Sequence, residues 1–363
     1  MARRAFRPRR PTPHDEGFAW PAEWERHEAT WLAWPHDPTT WGDGLAEVED
    51  AYELVIRAIA EGEIVHVLVK DAAMESRVRG RLGTNKRLQL HRVPTRDGWI
   101  RDYGPIVVAH GRGKARRRMA LDFRFDAWGG KYPSLVPDDA IPQRVKRIHG
   151  LPTRTVDLVL EGGSIDGNGR GTVLTSEACL LDAGRNPHLI RAEIEGALRE
   201  FLGARHVLWL GDGILGDDTD GHVDDMTRFV NPTTVVTAVE SDKRDGNYAP
   251  LADNLRRLEA MADQDGRALD VVKLPMPEPQ AMPQDRETPR MAFARWSVGG
   301  LVVVLVGLVF ALEMSCRTEV ASLPEPKQPE APPEEPVEPA PQPGPKQPVE
   351  PAPQPRVEPA KPR

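Results

Sequence analysis

Between Phe18 and Leu274 the apolar residues fall into short periodic blocks separated by glycine, proline and small polar residues. Leu45, Val48, Tyr52, Val55, Ile56 and Ile59 recur at spacings of three and four, which places them on one face and predicts an amphipathic helix over residues 45–60. Gly62 closes that block. Residues 64–69 follow as a β-branched run of strand length, predicting a buried strand. The helix-then-strand order returns at 189–202 with 206–210, and again at 251–262 with 269–274. Residues 88–93, 105–108, 119–125, 171–174 and 233–239 read as further strands. Strands alternating with helices of this size predict an α/β protein built from a repeated module.

The pattern breaks after Leu274. MPEPQAMPQDRETPR is polar and proline-rich, as a linker is. The run 296–312 then carries 17 residues without a charge, the short end of the length needed to span a membrane as a helix. Arg286, Arg290 and Arg295 precede it and Arg317 follows, which predicts a cytoplasmic main domain and an outside tail. Beyond Ser322 the octapeptide PVEPAPQP occurs at 336–343 and 348–355, a composition that favours extended polyproline II over a packed core. The expected organisation is a basic leader over 1–16, a main domain over 17–279, a linker over 280–295, a transmembrane helix over 296–312 and a disordered Pro/Glu-rich tail over 313–363. An anchor followed by Glu-Pro and Lys-Pro repeats loosely resembles the front of TonB-type membrane-spanning proteins.

Composition narrows the function classes. The net charge is −7, against a nucleic-acid partner. Cys179 and Cys316 are the only cysteines, which excludes a disulfide scaffold. The basic leader (Arg3, Arg4, Arg7, Arg9 and Arg10) has no apolar stretch behind it of the kind a secretory signal carries.

Candidate chemistry sits in three short contexts: DGWIRDYGP at 97–105, VLEGGS at 159–164 and DTDGHVDD at 218–225. His222 and Asp224 are two apart, so an extended segment would turn both to one face, a general-base arrangement with a carboxylate beside it. Several carboxylates suit a guanidinium ion, which is planar, cationic and rich in donors. Trp99 is suited to cover its face by a cation–π contact. Each motif also has a structural reading. Asp97 and Asp102 suit turn caps, Glu161 suits a buried arginine, and the 217–225 acids suit a solvated loop or a calcium site. One histidine and no cysteine pair weigh against zinc.

Together, WPAEWERHEATWLAWP, WIRDYGP, FDAWGGKYP, VLEGGSI, LTSEACLL with GRNPHL, and DDTDGHVDD appear in an order that resembles the agmatine deiminase family, a branch of the bacterial peptidyl-arginine deiminase type. The resemblance covers about residues 17–279. It implies a five-bladed α/β propeller (the pentein fold) and hydrolysis of agmatine to N-carbamoylputrescine and ammonia, in putrescine biosynthesis, without metal or organic cofactor. It assigns Asp102 and Asp224 to the guanidinium nitrogens, His222 to acid/base work, Glu161 to steadying the histidine, and Trp128 to the pocket wall.

In relatives the nucleophile is a cysteine closing a glycine-rich stretch that ends in His-Cys. Neither Cys179, in SEACLL, nor Cys316, in EMSCR, has that context. The expectation is therefore a deiminase domain that ends before its last blade, joined to an unrelated anchor and inactive by itself. The alternatives are a membrane-tethered guanidinium-binding module or a TonB-like spanning protein carrying a deiminase fragment. The sequence leaves open agmatine against free or peptidyl arginine, and the oligomeric state.

Overall fold

A computed structural model describes residues 11–277. The linker, the uncharged run 296–312, Cys316 and the tail lie outside them. Among the described residues no helix is long and apolar enough to cross a membrane.

Among the described residues, twelve strands form four three-stranded sheets. In the first, β1 (Ala29–Ala33), β2 (Ile64–Val69) and β3 (Leu88–Arg92) all run parallel. The other three sheets repeat one plan, an antiparallel pair followed by a parallel third strand. They are β4 (Ile106–His110), β5 (Arg117–Arg124) and β6 (Thr153–Val159); β7 (Asp166–Gly167), β8 (Thr172–Ser176) and β9 (His206–Leu210); and β10 (Thr227–Phe229), β11 (Thr234–Val239) and β12 (Asp270–Pro275). A parallel neighbour needs a crossover. The helices Ile141–His149, Arg191–Leu202 and Tyr248–Ala260 supply it in turn.

The helix Leu45–Gly62 follows its sequence pattern closely. Tyr52, Ile56 and Ile59 are buried, Val48 and Val55 pack against the same cluster, and Leu54, off the stripe, is 69% exposed. Other boundaries move for local reasons. The helix expected from 251 begins at Tyr248, because Pro250 falls in its first turn, where a missing N–H costs nothing. The helix expected from 189 begins at Arg191, because the Glu193 carboxylate reaches back to the Ile190 N–H at 2.9 Å.

The helix Ala72–Leu82 was not foreseen. Only Met74, Val78 and Leu82 face its core, a stripe too thin to stand out in a charged segment. Its start was legible, since the Asp71 side chain accepts from the Met74 N–H at 2.8 Å. The strands β1, β6, β7 and β10 were also not foreseen.

Candidate active site

Each of the last three sheets is entered through a short helical turn, and those turns carry the candidate residues. Asp102 lies on Ile100–Tyr103 before β4, Glu161 opens Gly162–Ser164 before β7, and His222 opens Val223–Asp225 before β10. The middle turn packs on both of the others. Repetition of one module thus brings three distant segments to one place.

The place is tight. His222 Nδ1 lies 3.7 Å from Asp102 Oδ1 and 3.9 Å from Asp224 Oδ1. All three residues are buried. The Gly163 N–H donates to Asp102 Oδ1 at 3.0 Å. A side-chain carbon added at Gly163 would stand 2.5 Å from His222 Nδ1, 2.8 Å from Asp102 Oδ1 and 3.0 Å from Asp224 Oδ1, so any larger residue there would push the three groups apart.

His222 and Asp224 converge for a different reason from the one their spacing suggested. They are not on an extended segment: residues Val223–Asp225 form a 3-10 turn, which curls both side chains inward. The acids before it build that turn. Asp217 accepts from the Thr219 N–H, the Thr219 hydroxyl and the Gly221 N–H at 2.7, 2.5 and 2.7 Å. Lys131 Nζ donates to the Asp218 carbonyl at 2.8 Å and to Asp220 Oδ1 at 2.5 Å, and the Tyr132 hydroxyl donates to Asp218. These carboxylates brace the loop through hydrogen bonds to its own backbone and to Lys131 and Tyr132.

Trp128, assigned by the resemblance to a pocket wall, is buried against one of the candidate carboxylates: its indole N–H donates to Asp102 Oδ2 at 3.1 Å. Ala127 and Trp128 hold that pose with φ of 63° and 58°, left-handed values that cost a non-glycine residue about 1–2 kcal/mol each. The Asp126 carboxylate, accepting from the Gly129 N–H at 2.8 Å, braces the turn. Trp99 belongs to the same aromatic layer, with one face on Trp41 at 5.1 Å and its indole N–H donating to Asp97 Oδ2 at 3.1 Å. Asp97 does not cap the turn Ile100–Tyr103 but clasps a distant segment to it, accepting also from the Thr40 hydroxyl at 2.5 Å and the Gly98 N–H at 2.7 Å.

Glu161 fulfils its structural reading. Its Oε1 accepts from Arg185 Nε at 2.9 Å with both side chains fully buried, and Arg185 Nη2 donates to the Thr219 carbonyl at 2.5 Å. Its other oxygen, Oε2, and His222 Nε2 have no hydrogen-bond partner among the described residues. Donor atoms of Glu161, His222 and the buried Cys179 lie within 4.8 Å of one another, so the glutamate stands beside the histidine without a direct bond.

Arg101 and Arg228 flank Asp224 at 3.6 and 3.9 Å, and Glu23 bridges the two arginines. Asp166 lies 3.3 Å from Arg228 on the far side. Arg101, Glu23, Arg185 and Gly163 fall inside the motifs already quoted from the sequence. Their spacing carries no periodic signal, and only the fold assigns them partners.

Burial dominates the proton affinities. It pushes the Asp102 carboxyl up to about 8, with help from the Asp224 and Glu161 carboxylates. Asp224 and Glu161 are also raised by burial, against the opposing pull of Arg101 and Arg228 on the first and Arg185 on the second. Burial, then the Arg185, Arg101 and Lys131 cations, hold the His222 imidazole well below its usual range and therefore neutral. Burial pulls the Glu23 carboxyl upward, but Arg101 and Arg228 overcome it and hold it at about 2. Cys179 is pushed well above an ordinary thiol by burial, which disfavours the thiolate a nucleophile needs.

The sequence matches the family described as Porphyromonas-type peptidyl-arginine deiminase over residues 19–305. It is 42% identical over 273 residues to the agmatine deiminase of Ectopseudomonas mendocina, covering 74% of this chain and 73% of that one. This chain belongs to the agmatine deiminase family. The agmatine deiminase of Pseudomonas aeruginosa (strain LESB58) is 40% identical over the same length. Among solved structures, an agmatine deiminase of Enterococcus faecalis superposes with a TM-score of 0.70 at 36% identity, covering 76% of this chain and 75% of that one. A C. jejuni agmatine deiminase with substrate bound superposes with a TM-score of 0.65 at 32% identity. Agmatine deiminase relatives are hydrolases of carbon–nitrogen bonds, and their fold is the α/β pentein fold. The family match runs past residue 279, where motif reading ended the domain, and into the uncharged run.

Proposed function

We propose that this chain binds the guanidinium end of agmatine between Asp102 and Asp224, with neutral His222 as proton carrier and Trp128 and Trp99 as the aromatic side of the pocket. The observation that carries this reading is the meeting of His222, Asp102 and Asp224 around Gly163, within 3.0 Å of one point. Two buried carboxylates beside a neutral imidazole suit a planar cation that donates from several edges. Binding supplies the positive charge that lets both carboxylates ionise, and His222 can accept a proton and return it to a departing ammonia. Glu161, pinned by Arg185, orients this group rather than contacting the cation. The four modules are read as blades of a five-bladed propeller.

The family's reaction needs a thiolate at the guanidinium carbon. Cys179 is buried and held as a thiol, and Cys316 lacks the glycine-rich His-Cys context, so binding without turnover by this chain alone is the expected behaviour. Calorimetry with agmatine tests the site: the full chain should bind, and Asp224→Ala should lose binding by at least ~100-fold, the scale of a charge-assisted contact left unpaired. Equal binding by the two proteins removes the pocket. Ammonia release from agmatine, assayed in parallel, removes the claim of inactivity. The uncharged run 296–312 favours a membrane-tethered form of the same binding module, cytoplasmic on its N-terminal side. Extraction of the expressed chain from membranes by carbonate alone would count against tethering.

A further inference from the structure

Beside Glu161 and His222, which the proposed function already employs and on which this inference therefore rests, the buried site holds a third donor that it does not use, Cys179. Cys179 lies in the short turn Glu177–Leu180, where its N–H donates to Ser176 Oγ at 3.1 Å, and Ser176 Oγ in turn donates to the Gly221 carbonyl. This ties the cysteine to the loop that presents His222. The thiol, the Glu161 carboxylate and the His222 ring offer donor atoms within 4.8 Å of one another, and the three residues are 0%, 0% and 2% exposed. Glu161 Oε2 and His222 Nε2 are buried polar atoms without a hydrogen-bond partner among the described residues, a costly state unless something else meets them.

We infer that Glu161, Cys179 and His222 form a binding site for a zinc-type divalent cation. Sulfur, imidazole nitrogen and carboxylate oxygen are the ligands such an ion takes, with a fourth position left for water, whereas calcium and magnesium call for six or more oxygens. The charges balance: a thiolate, a carboxylate and a neutral imidazole meet a double positive charge. On binding, the S–H bond breaks, a Zn–S bond forms, and the proton leaves to solvent; no electron changes owner. Zn–S near 2.3 Å and Zn–N or Zn–O near 2.0–2.1 Å set donor atoms roughly 3.3–3.6 Å apart, so side-chain movements of about 1 Å close the site. Arg185, on Glu161 Oε1 at 2.9 Å, fixes the carboxylate from behind and leaves Oε2 to face the ion. The Arg185 charge opposes the cation, which makes this a site of moderate affinity. A metal here ties up the imidazole ring that the proposed function uses as proton carrier, so the site is inhibitory rather than catalytic.

The readout is metal rather than turnover, so this inference and the deiminase reading fail separately. The full chain, stripped with chelator and loaded with Co²⁺, should show a thiolate-to-cobalt charge-transfer band in the near ultraviolet. With Zn²⁺ it should retain one ion per chain through gel filtration. Cys179→Ala should lose the band and weaken zinc retention by roughly 100-fold or more, beyond the loss of an outer-shell partner, while Cys316→Ser should keep both. Cobalt bound without a sulfur band, or zinc held equally by Cys179→Ala, overturns the proposal and leaves a bridging water as the occupant. If Cys179→Ala fails to fold, the unmutated cobalt spectrum decides alone.

Discussion

At the scale of single residues, Gly163 carries more of the site than its lack of a side chain suggests. Its N–H holds Asp102 in place, and its bare Cα is what lets His222 and two carboxylates approach one point. Gly163→Ala should keep the fold and weaken agmatine binding by about tenfold or more, roughly 1.4 kcal/mol, because the added carbon meets His222 Nδ1 at 2.5 Å. Calorimetry beside a thermal melt checks this; unchanged affinity would mean that the cation sits elsewhere. Four of the proposed site residues, Asp102, Glu161, His222 and Asp224, stand out in the sequence because their motifs occur together in one family order, not because any single motif excludes a structural role. The direct partner of Glu161 was not: a buried arginine 24 positions away leaves no mark in local spacing.

The elements that bring the candidate residues together are not the long helices but the three turns that open the last three sheets. The turn before β7 is anchored by the buried Glu161–Arg185 pair, whose removal from one side leaves an uncompensated charge in the interior. Arg185→Met should cost about 3–5 kcal/mol of stability in urea unfolding, and adding Glu161→Gln to it should restore a large part. Equal stability of the single and double variants would show that the carboxylate escapes to water. The amphipathic helix Leu45–Gly62 was legible because burial on one face imposes a period on the sequence. The turns were not, because a tight turn is held by hydrogen bonds such as those of Asp217, which impose identity at single positions and no period.

At the scale of the whole molecule, three histidines gather around Trp31, two from the first sheet and one from the end of the helix Ile141–His149. His66 Nδ1 and His91 Nε2 lie 2.8 Å apart, Trp31 stacks on His66 at 4.2 Å, and the His149 Nδ1 accepts from the Leu151 N–H at 2.9 Å. Burial, then the His91 and His149 rings, push His66 down to about 4, and burial lowers His91 and His149 as well. The unfolded chain takes up protons near pH 6.5 and the folded one lower, so stability is lost as pH falls from about 6.5 towards 4. Thermal melts should show a steeper acid loss for the natural chain than for His66→Phe, which keeps the stack and removes the charge; parallel slopes would discount the cluster. The sequence by itself determined the alternation of helices and strands, the family motifs and the identity of the charged groups, since burial and acid–base chemistry act on residue type. Tertiary structure decided which turn meets which, that Asp217 braces its own loop while Asp224 approaches His222, and that Cys179 lies beside His222. Those outcomes depend on distances between segments far apart in the chain, which no local pattern encodes.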